Sequence, residues 1–148
     1  MTVCLAPDAE AVRCSFAIDR YVAPTAPIRV LVLAGEIDLM SYPSLEVAMD
    51  ALLYGAPDGA TAHLVVDLAG VTFCSARGHS LLEAGARRAR RAGVGYTLAG
   101  LSPHLRRIVA LWAGEHVVRF GDVAAAVTAI RARQALSAEV IVAGAGPS

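Results

Sequence analysis

The stretch IRVLVLA at residues 28–34, followed at once by GEID at residues 35–38, decides the fold class. A nearly continuous apolar run of this length is typical of a strand that is buried on both faces of a sheet. A second such run, HLVVDL, lies at residues 63–68. Between the two runs, Leu45, Met49 and Leu52 recur at helical spacing and form one apolar stripe. A strand, a helix and a further strand in this order predict a right-handed crossover between parallel strands.

The alternation of strand and helix continues on both sides of this unit. VRCSFAI at residues 12–18 alternates between apolar and polar side chains, which predicts a first strand. Downstream, the pattern predicts helices at residues 78–92, from 103 and from 123, and strands at residues 94–99 and 117–120. Leu105, Ile108, Leu111 and Trp112 are expected to face inward from the middle one of these helices. The prediction is an α/β fold with a mixed, mostly parallel sheet of four to five strands packed with about four to five helices.

The length of 148 residues suits one domain, which we place at residues 12–133. Residues 1–11 are expected to form an N-terminal extension, and residues 134–148 an apolar C-terminal tail rich in glycine and alanine. Hydrophobic residues make up 56% of the chain and charged residues 18%, which is sufficient for a packed core. The sequence leaves open whether this tail packs against its own domain or against a second copy of the chain in a homodimer.

Charge and cysteine content exclude several classes of function. The formal net charge is zero, so nothing draws the chain to nucleic acid or to an anionic membrane surface. The beginning of the sequence lacks the basic region and the long apolar run of a signal peptide, and no apolar run reaches the length of about 20 residues needed for membrane insertion. Three cysteines without a CxxC pair favour a reduced compartment. We therefore expect a cytoplasmic protein.

Motifs that carry catalysis are not found in the sequence. The four histidines are scattered, without HExxH or other metal-ligand spacing. There is neither a phosphate-binding GxxxxGK[ST] loop nor a GxSxG nucleophile turn. The sequence predicts a non-enzymatic protein without a metal or cofactor. Function is instead expected in loops at the carboxyl ends of the strands, where residues 35–41 and 71–79 qualify.

These two loops resemble the signatures of the STAS domain, in particular of anti-sigma factor antagonists. GEID at residues 35–38, before a proline-bearing helix, is similar to the first signature, and LVVDLAGVTF at residues 64–73 to the strand before the family's phosphorylation loop. LAGLSP at residues 98–103 resembles the entry to the third helix. The resemblance covers residues 12–133 in one register and implies a STAS-like fold.

The resemblance implies a regulator of transcription, in the context of a stress response. Such antagonists bind a cytoplasmic anti-sigma factor that is also a serine kinase, and so release a sigma factor. Phosphorylation of a serine in an Asp-Ser-Ser/Thr-Gly loop reverses the binding, because the phosphate adds nearly two negative charges at a packed interface. Asp38 matches the family's acidic residue in the first loop, which is linked to partner contact.

The sequence departs from the family pattern within the phosphorylation loop. Ser75 lies where the family has its aspartate, Ala76 where it has the phosphoacceptor serine, and Arg77 where it has a second hydroxyl residue; only Gly78 is retained. Alanine carries no hydroxyl group, so phosphorylation at the usual position is excluded. The resemblance therefore implies an antagonist without conventional phosphoserine control.

Each remaining residue of this loop has two interpretations. Ser75 is either an alternative phosphoacceptor or an N-cap of the following helix, and we favour the cap. Cys74 is either a redox-responsive thiol with a lowered pKa or a small core residue, and we favour the core residue. Arg77 either meets a partner carboxylate or a bound anion, or reaches solvent. Asp38 also suits a turn in which its carboxylate accepts hydrogen bonds from its own backbone.

Two other functions compete with the antagonist hypothesis. The chain is alternatively a STAS subunit that works with a membrane transporter or a signalling assembly, in which the loop is a docking surface. A third alternative is a STAS module that senses a nucleotide or a lipid, although no phosphate-binding motif supports it. The run RRARR at residues 87–91 carries no interleaved aromatic residues, so a solvated helix face is favoured over nucleic-acid binding.

Overall fold

A computed structural model describes residues 2–5, 13–19, 27–54 and 61–144, with only the backbone described at 2–5, 13–19 and 138–144. The elements alternate between strand and helix after two initial strands. In chain order they are β1 Thr2–Leu5, β2 Arg13–Asp19, β3 Ile28–Ile37, α1 Tyr42–Tyr54, β4 His63–Cys74, α2 Ala76–Ala92, β5 Gly95–Ala99, α3 Pro103–Ala113, β6 Val118–Phe120 and α4 Val123–Gly144.

The strands form one mixed sheet in the order β1-β2-β3-β4-β5-β6. β1 pairs antiparallel with β2, and β2 pairs antiparallel with β3. From β3 to β6 every pair is parallel, as the strand-helix-strand pattern requires. The predicted α/β class with a mostly parallel sheet is thus confirmed. The described sheet has six strands, one more than the upper predicted number, because residues 2–5 of the expected extension form β1.

Strand β4 is longer than its apolar pattern indicates. The sequence pattern ended this strand at residue 68 and predicted a loop at residues 71–79, whereas β4 runs to Cys74. Its second half pairs with the end of β3 through register shifts at residues 32–34 and 35–36 of that strand. A Cβ atom on Gly70 would lie 2.9 Å from the Cβ of Ala34, so glycine allows the two strands to approach here. The irregular pairing breaks the alternation, which explains why the sequence pattern missed it.

Two apolar layers hold the sheet between the helices. Helices α1, α2 and α3 cover one face, and their largest fully buried side chains include Leu45, Met49, Leu81 and Leu82. On the other face, Ala126 and Ile130 of α4 pack in a cluster with residues of the central strands, namely Ile28, Val30, Val65 and Ala99. These two layers fix the ends of β3 and β4, where the candidate site lies.

The buried face of helix α3 differs from the predicted one at Leu111. Leu105 is buried as expected, but Leu111 is 86% exposed, and Val109 and Ala113 take the inward positions. Four-residue spacing continues the buried row from Leu105, whereas Leu111 lies to one side of it. The expectation for Leu111 was therefore wrong, because an apolar residue beside a helix stripe has the same signal as one inside it.

Polar caps begin the last two helices, close to the predicted starts at residues 103 and 123. The Oγ of Ser102 accepts a hydrogen bond from the backbone N–H of Leu105 at 3.2 Å. The Oδ1 of Asp122 accepts one from Ala125 at 2.7 Å. Helix α4 then continues to Gly144, through most of the segment expected to be a separate tail. Within the described part of the chain, no helix is both long enough and apolar enough to cross a bilayer.

Candidate functional site

Two loops begin side by side at one end of the sheet. Ile37 and Cys74 are paired in the register of β3 and β4, and each ends its strand. The backbone N–H of Ser75 donates a hydrogen bond to the carbonyl of Ile37 at 2.8 Å. Residues 38–41 and residues 74–78, here called the paired loops, are therefore joined at their bases. The structure thus brings Asp38 and the predicted residues 74–78 to one edge.

Asp38 organises the first of the paired loops. Its Oδ1 accepts hydrogen bonds from the backbone N–H groups of Met40 at 2.9 Å and Ser41 at 3.0 Å. The buried Oγ of Ser41 in turn accepts one from the N–H of Asp38 at 2.9 Å. These contacts are those of an Asx turn, as one of the two interpretations of Asp38 required. The carboxylate is half-buried, so its role in partner contact stays a prediction.

Ser75 is the N-cap of α2. Its backbone is extended, and its Oγ accepts a hydrogen bond from the N–H of Gly78 at 3.2 Å. The cap satisfies one of the donors that a helix N-terminus leaves without a partner. A half-buried oxygen held in this way is poorly placed to act as a nucleophile toward a phosphoryl group. Phosphorylation of Ser75 stays an untested alternative.

Gly78 allows the close packing at the base of the paired loops. A Cβ atom there would lie 2.7 Å from the Sγ of Cys74 and 2.8 Å from the Cγ2 of Ile37. It would also lie 3.1 Å from the carbonyl oxygen of Ile37. Because real Cβ atoms do not approach their neighbours this closely, any larger residue at position 78 would push α2 away from the end of β3.

Ala76 and Arg77 are the exposed residues in the first turn of α2. The methyl group of Ala76 occupies the position that the family resemblance assigns to a phosphoacceptor. The guanidinium carbon of Arg77 lies 5.7 Å from the centroid of the Tyr42 ring, within the range of a cation–π contact. This contact with α1 offers a structural reason for a positive charge in the first turn of a helix, where the dipole disfavours it.

Cys74 does not have the lowered pKa that a redox switch would need. Burial raises the pKa of its thiol to about 11, because the charged thiolate is poorly solvated there. Its sulfur lies 3.7 Å from the carbonyl oxygen of Ser75, to which the thiol donates. The raised pKa does not favour the alternative interpretation of Cys74 as a redox-responsive thiol. The geometry matches the small, half-buried core residue that we favoured.

Three exposed apolar side chains lie in or next to the paired loops, and they were not identified from the sequence. Leu39 is 62% exposed, Met40 82% and Phe73 54%. Leu39 and Met40 lie in the first loop, and Phe73 directly precedes the second. Loop residues are usually polar, so large apolar side chains in and beside a predicted loop are the sequence signal that would have identified these three residues. We refer to these three residues and the exposed Arg77, which all lie at this end of the sheet, as the loop-end patch.

His79, for which no role was predicted, connects α2 to α3. The ring is buried, and its Nδ1 accepts a hydrogen bond from the Nε1–H of Trp112 at 3.3 Å. The rings lie edge to face, with centroids 6.5 Å apart. Burial, and then the nearby His104, lowers the pKa of His79. The neutral imidazole is thereby favoured next to the helix turn that Ser75 caps.

The arginine run on α2 is not uniformly solvated. Arg88 spans to α1, where its Nη2 lies 2.7 Å from the Oε1 of Glu46 and its Nη1 lies 3.0 Å from the Oδ1 of Asp50. Arg87 pairs within α2 with Glu83 at 3.1 Å. The predicted solvated face therefore includes one residue, Arg88, that joins two helices.

In the described ranges, no cluster of three or more His, Cys, Asp or Glu side chains could hold a metal ion.

Comparison with solved structures shows similarity to anti-sigma factor antagonists. An anti-sigma factor antagonist from Mycobacterium paratuberculosis is 25% identical, covers 85% of this chain and 97% of its own, and superposes with a TM-score of 0.65. SpoIIAA, a Bacillus cell fate determinant solved in its phosphorylated form, is 16% identical with coverages of 78% and 98% and a TM-score of 0.59. The chain is also similar to part of the murine anion transporter Slc26a9, at 14% identity, coverages of 71% and 18% and a TM-score of 0.61.

The family assignment rests on the sequence itself. No curated protein matches the chain. Residues 25–119, from the beginning of β3 to β6, match the family model described as "Mlab, STAS domain". This range contains both paired loops and more than half of the chain. The resemblance drawn from the loop motifs is thus confirmed, and the chain belongs to the STAS domain family.

Proposed function

We propose that this protein is a non-catalytic, cytoplasmic regulator that binds an anti-sigma factor of the serine-kinase type and so releases a sigma factor. The observation that carries the proposal is the similarity to the Mycobacterium paratuberculosis antagonist over 85% of this chain and 97% of that one. That likeness runs through nearly the whole of the antagonist and is not confined to one part of it. The similarity to the murine transporter, by contrast, covers 18% of the transporter and supports the fold alone.

The loop-end patch supports a protein partner. Leu39, Met40 and Phe73 present apolar surface beside the paired loops, and exposed apolar groups gathered at a functional edge are typical of protein interfaces. Arg77 adds a positive charge at the same place, suited to a carboxylate on the partner. The bases of the loops are rigid, so little conformational entropy would be lost when they bind.

The exposed Ala76 supports control that does not depend on phosphate at this position. A kinase partner would meet a methyl group where the related antagonists carry the accepting hydroxyl. Release of the partner by phosphate repulsion is then not available at residue 76, and the amount of protein sets how much sigma factor is free. In this proposal the protein is a constitutive antagonist.

Affinity capture of the tagged chain from its own cells, with identification of bound proteins by mass spectrometry, tests the proposal. We expect an anti-sigma factor with a kinase domain, which purified components should then bind with displacement of the sigma factor. A Phe73→Ser variant should no longer capture the anti-sigma factor. Val47→Ser, which changes a similarly exposed apolar residue on α1, should still capture it. Recovery of transporter subunits, with no kinase, would overturn the proposal in favour of the docking alternative.

Incubation of the purified pair with ATP then tests the loss of phosphate control. The intact mass of the wild-type chain should not change, and Ala76→Ser should gain one phosphate and release the partner. The double variant Ser75→Ala, Ala76→Ser is the matched control, since it must still be modified if residue 76 is the acceptor. A phosphate on wild-type Ser75 would contradict the constitutive mode but not the binding function.

A further inference from the structure

A groove of about 440 Å³ lies at the end of the sheet opposite to the paired loops. It is bounded by the later turns of α2 and the end of α3, and it reaches Gly95 and Val117, where β5 and β6 begin. The paired loops follow the carboxyl ends of β3 and β4, so the parallel strands separate the two regions. The volume falls within the range of about 300–1,000 Å³ that is common for small-molecule pockets.

The floor of the groove is apolar and aromatic, and its polar atoms are already paired. The hydroxyl of Tyr96 donates to the carbonyl of Leu82 at 2.9 Å, so its ring alone is offered to a ligand. The indole N–H of Trp112 is likewise committed to His79. The rest of the floor is apolar and comprises Ala86, Val94, Ala113 and Val117. Such a floor favours a planar apolar body without hydrogen-bonding groups.

The rim of the groove has an unbalanced positive charge. Arg87 and Glu83 neutralise each other in an ion pair at 3.1 Å. Arg90 is exposed on the same rim and, among the residues that the structure describes, its guanidinium forms no hydrogen bond or ion pair. His116 also lines this side. A guanidinium beside an apolar pocket is suited to bind a carboxylate with two parallel hydrogen bonds.

We propose that this groove binds a small aromatic carboxylate, with the ring against Trp112 and Tyr96 and the carboxylate on Arg90. None of these three residues belongs to the loop-end patch, so the site does not depend on the proposed partner. A small molecule is favoured over nucleic acid because, among the described residues that line the groove, Arg90 is the arginine without an ion pair, and the chain as a whole has no net charge. Trp112 is hydrogen-bonded to His79 in the first turn of α2. A ligand that packs against Trp112 would therefore contact a side chain that is bound to this turn.

The only tryptophan of the chain gives a direct readout of this site. In a ¹H–¹⁵N spectrum of the full chain, its single indole N–H signal should shift in a saturable way when 2-naphthoate is added. The amide 2-naphthamide, which has the same ring and no charge, should bind about tenfold more weakly, because it lacks the charge-assisted contact with Arg90. No shift with millimolar 2-naphthoate, or equal affinities for the acid and the amide, would overturn the proposal.

Two neighbouring arginines provide a matched pair of variants. Arg90→Gln should weaken 2-naphthoate binding about tenfold and leave 2-naphthamide binding unchanged. Arg91→Gln removes the next charge along α2, which is exposed but does not line the groove, and should change neither. An equal loss in both variants would mean that overall charge attracts the anion, and the site would be rejected. Ala86→Leu, which narrows the groove without removing a charge, should abolish binding of both probes while the thermal unfolding curve stays cooperative.

Discussion

At the scale of single residues, Gly78 shows how a residue without a side chain can determine a site. Its missing Cβ lets α2 begin against the carbonyl of Ile37 and the sulfur of Cys74. We expect Gly78→Ala to lower the free energy of unfolding by up to about 2 kcal/mol, because an overpacking cost of up to about 3 kcal/mol is offset by at most about 1 kcal/mol of helix propensity. Urea unfolding measures this difference.

Gly121 is the matched control for this substitution. A Cβ atom there would meet nothing within 4 Å, and its φ angle is not positive. Gly121→Ala should therefore change stability by less than about 0.5 kcal/mol. If Gly78→Ala proved equally harmless, the close approach of the paired loops would not matter for stability.

The thiol of Cys74 supplies a second prediction at this scale. With a pKa of about 11, above the ordinary value of 9.0, the thiolate fraction at pH 8 is about a hundredfold lower than in the unfolded chain. Alkylation at pH 8, followed by peptide mapping to separate the three cysteines, should show slow labelling of Cys74 that accelerates in urea. Rapid labelling of the folded protein would contradict the burial of this thiol. It would also favour the alternative that Cys74 responds to oxidation.

At the scale of elements, the contact between α1 and α2 depends on Arg88. Its guanidinium bridges Glu46 and Asp50 of the facing helix, and the side chain is 29% exposed. We expect Arg88→Gln to cost about 1 kcal/mol, more than an isolated surface pair, because two carboxylates are left without their shared partner. Arg87→Gln, which breaks only the exposed pair with Glu83, should cost about 0.3 kcal/mol.

A double-mutant cycle separates the ion pair from other effects of these substitutions. Combining Arg88→Gln with Glu46→Gln should give a smaller loss than the sum of the single losses. Strict additivity would show that the bridge between the helices contributes no interaction energy. Equilibrium unfolding in urea at low salt is the appropriate measurement, since salt screens partly exposed pairs.

At the scale of the whole molecule, buried histidines make stability dependent on pH. Burial, and then the charge of Arg133, lowers the pKa of His63 from 6.5 to about 4. The unfolded chain therefore binds more protons than the folded chain between these values, and the free energy of unfolding should fall as the pH drops from about 6.5 to 4. His63→Gln should reduce the slope of this fall. Unfolding curves at pH 7.5, 5.5 and 4.5 provide the comparison.

The extent to which the fold could be predicted follows from the kind of signal each element carries. The caps Ser102 and Asp122 and the continuous apolar strands act locally, and they placed the helices and the parallel strands correctly. The irregular end of β4 and the orientation of Leu111 depend on neighbours that are distant in sequence, so periodicity could not resolve them.

The candidate site divides in the same way. Its location could be predicted, because carboxyl ends of parallel strands share an edge, and the cap by Ser75 follows from local chemistry. The cation–π contact of Arg77 with Tyr42 and the hydrogen bond between His79 and Trp112 join helices through tertiary packing. No spacing in the sequence encodes such contacts. The exposure of Leu39 and Met40 likewise becomes visible only when the core is known to be complete without them.

The strands that end the described sheet are its shortest, four residues in β1 and three in β6. A row of unpaired backbone groups invites another chain to extend a sheet, and length is what makes that addition favourable. With so few donors and acceptors at either margin, β-augmentation and fibril growth have little to attach to. Polymerisation through these two margins of the described sheet is therefore disfavoured. A partner would then recognise this protein through its side chains and not through backbone pairing at the sheet edges. Single substitutions can change such recognition during evolution.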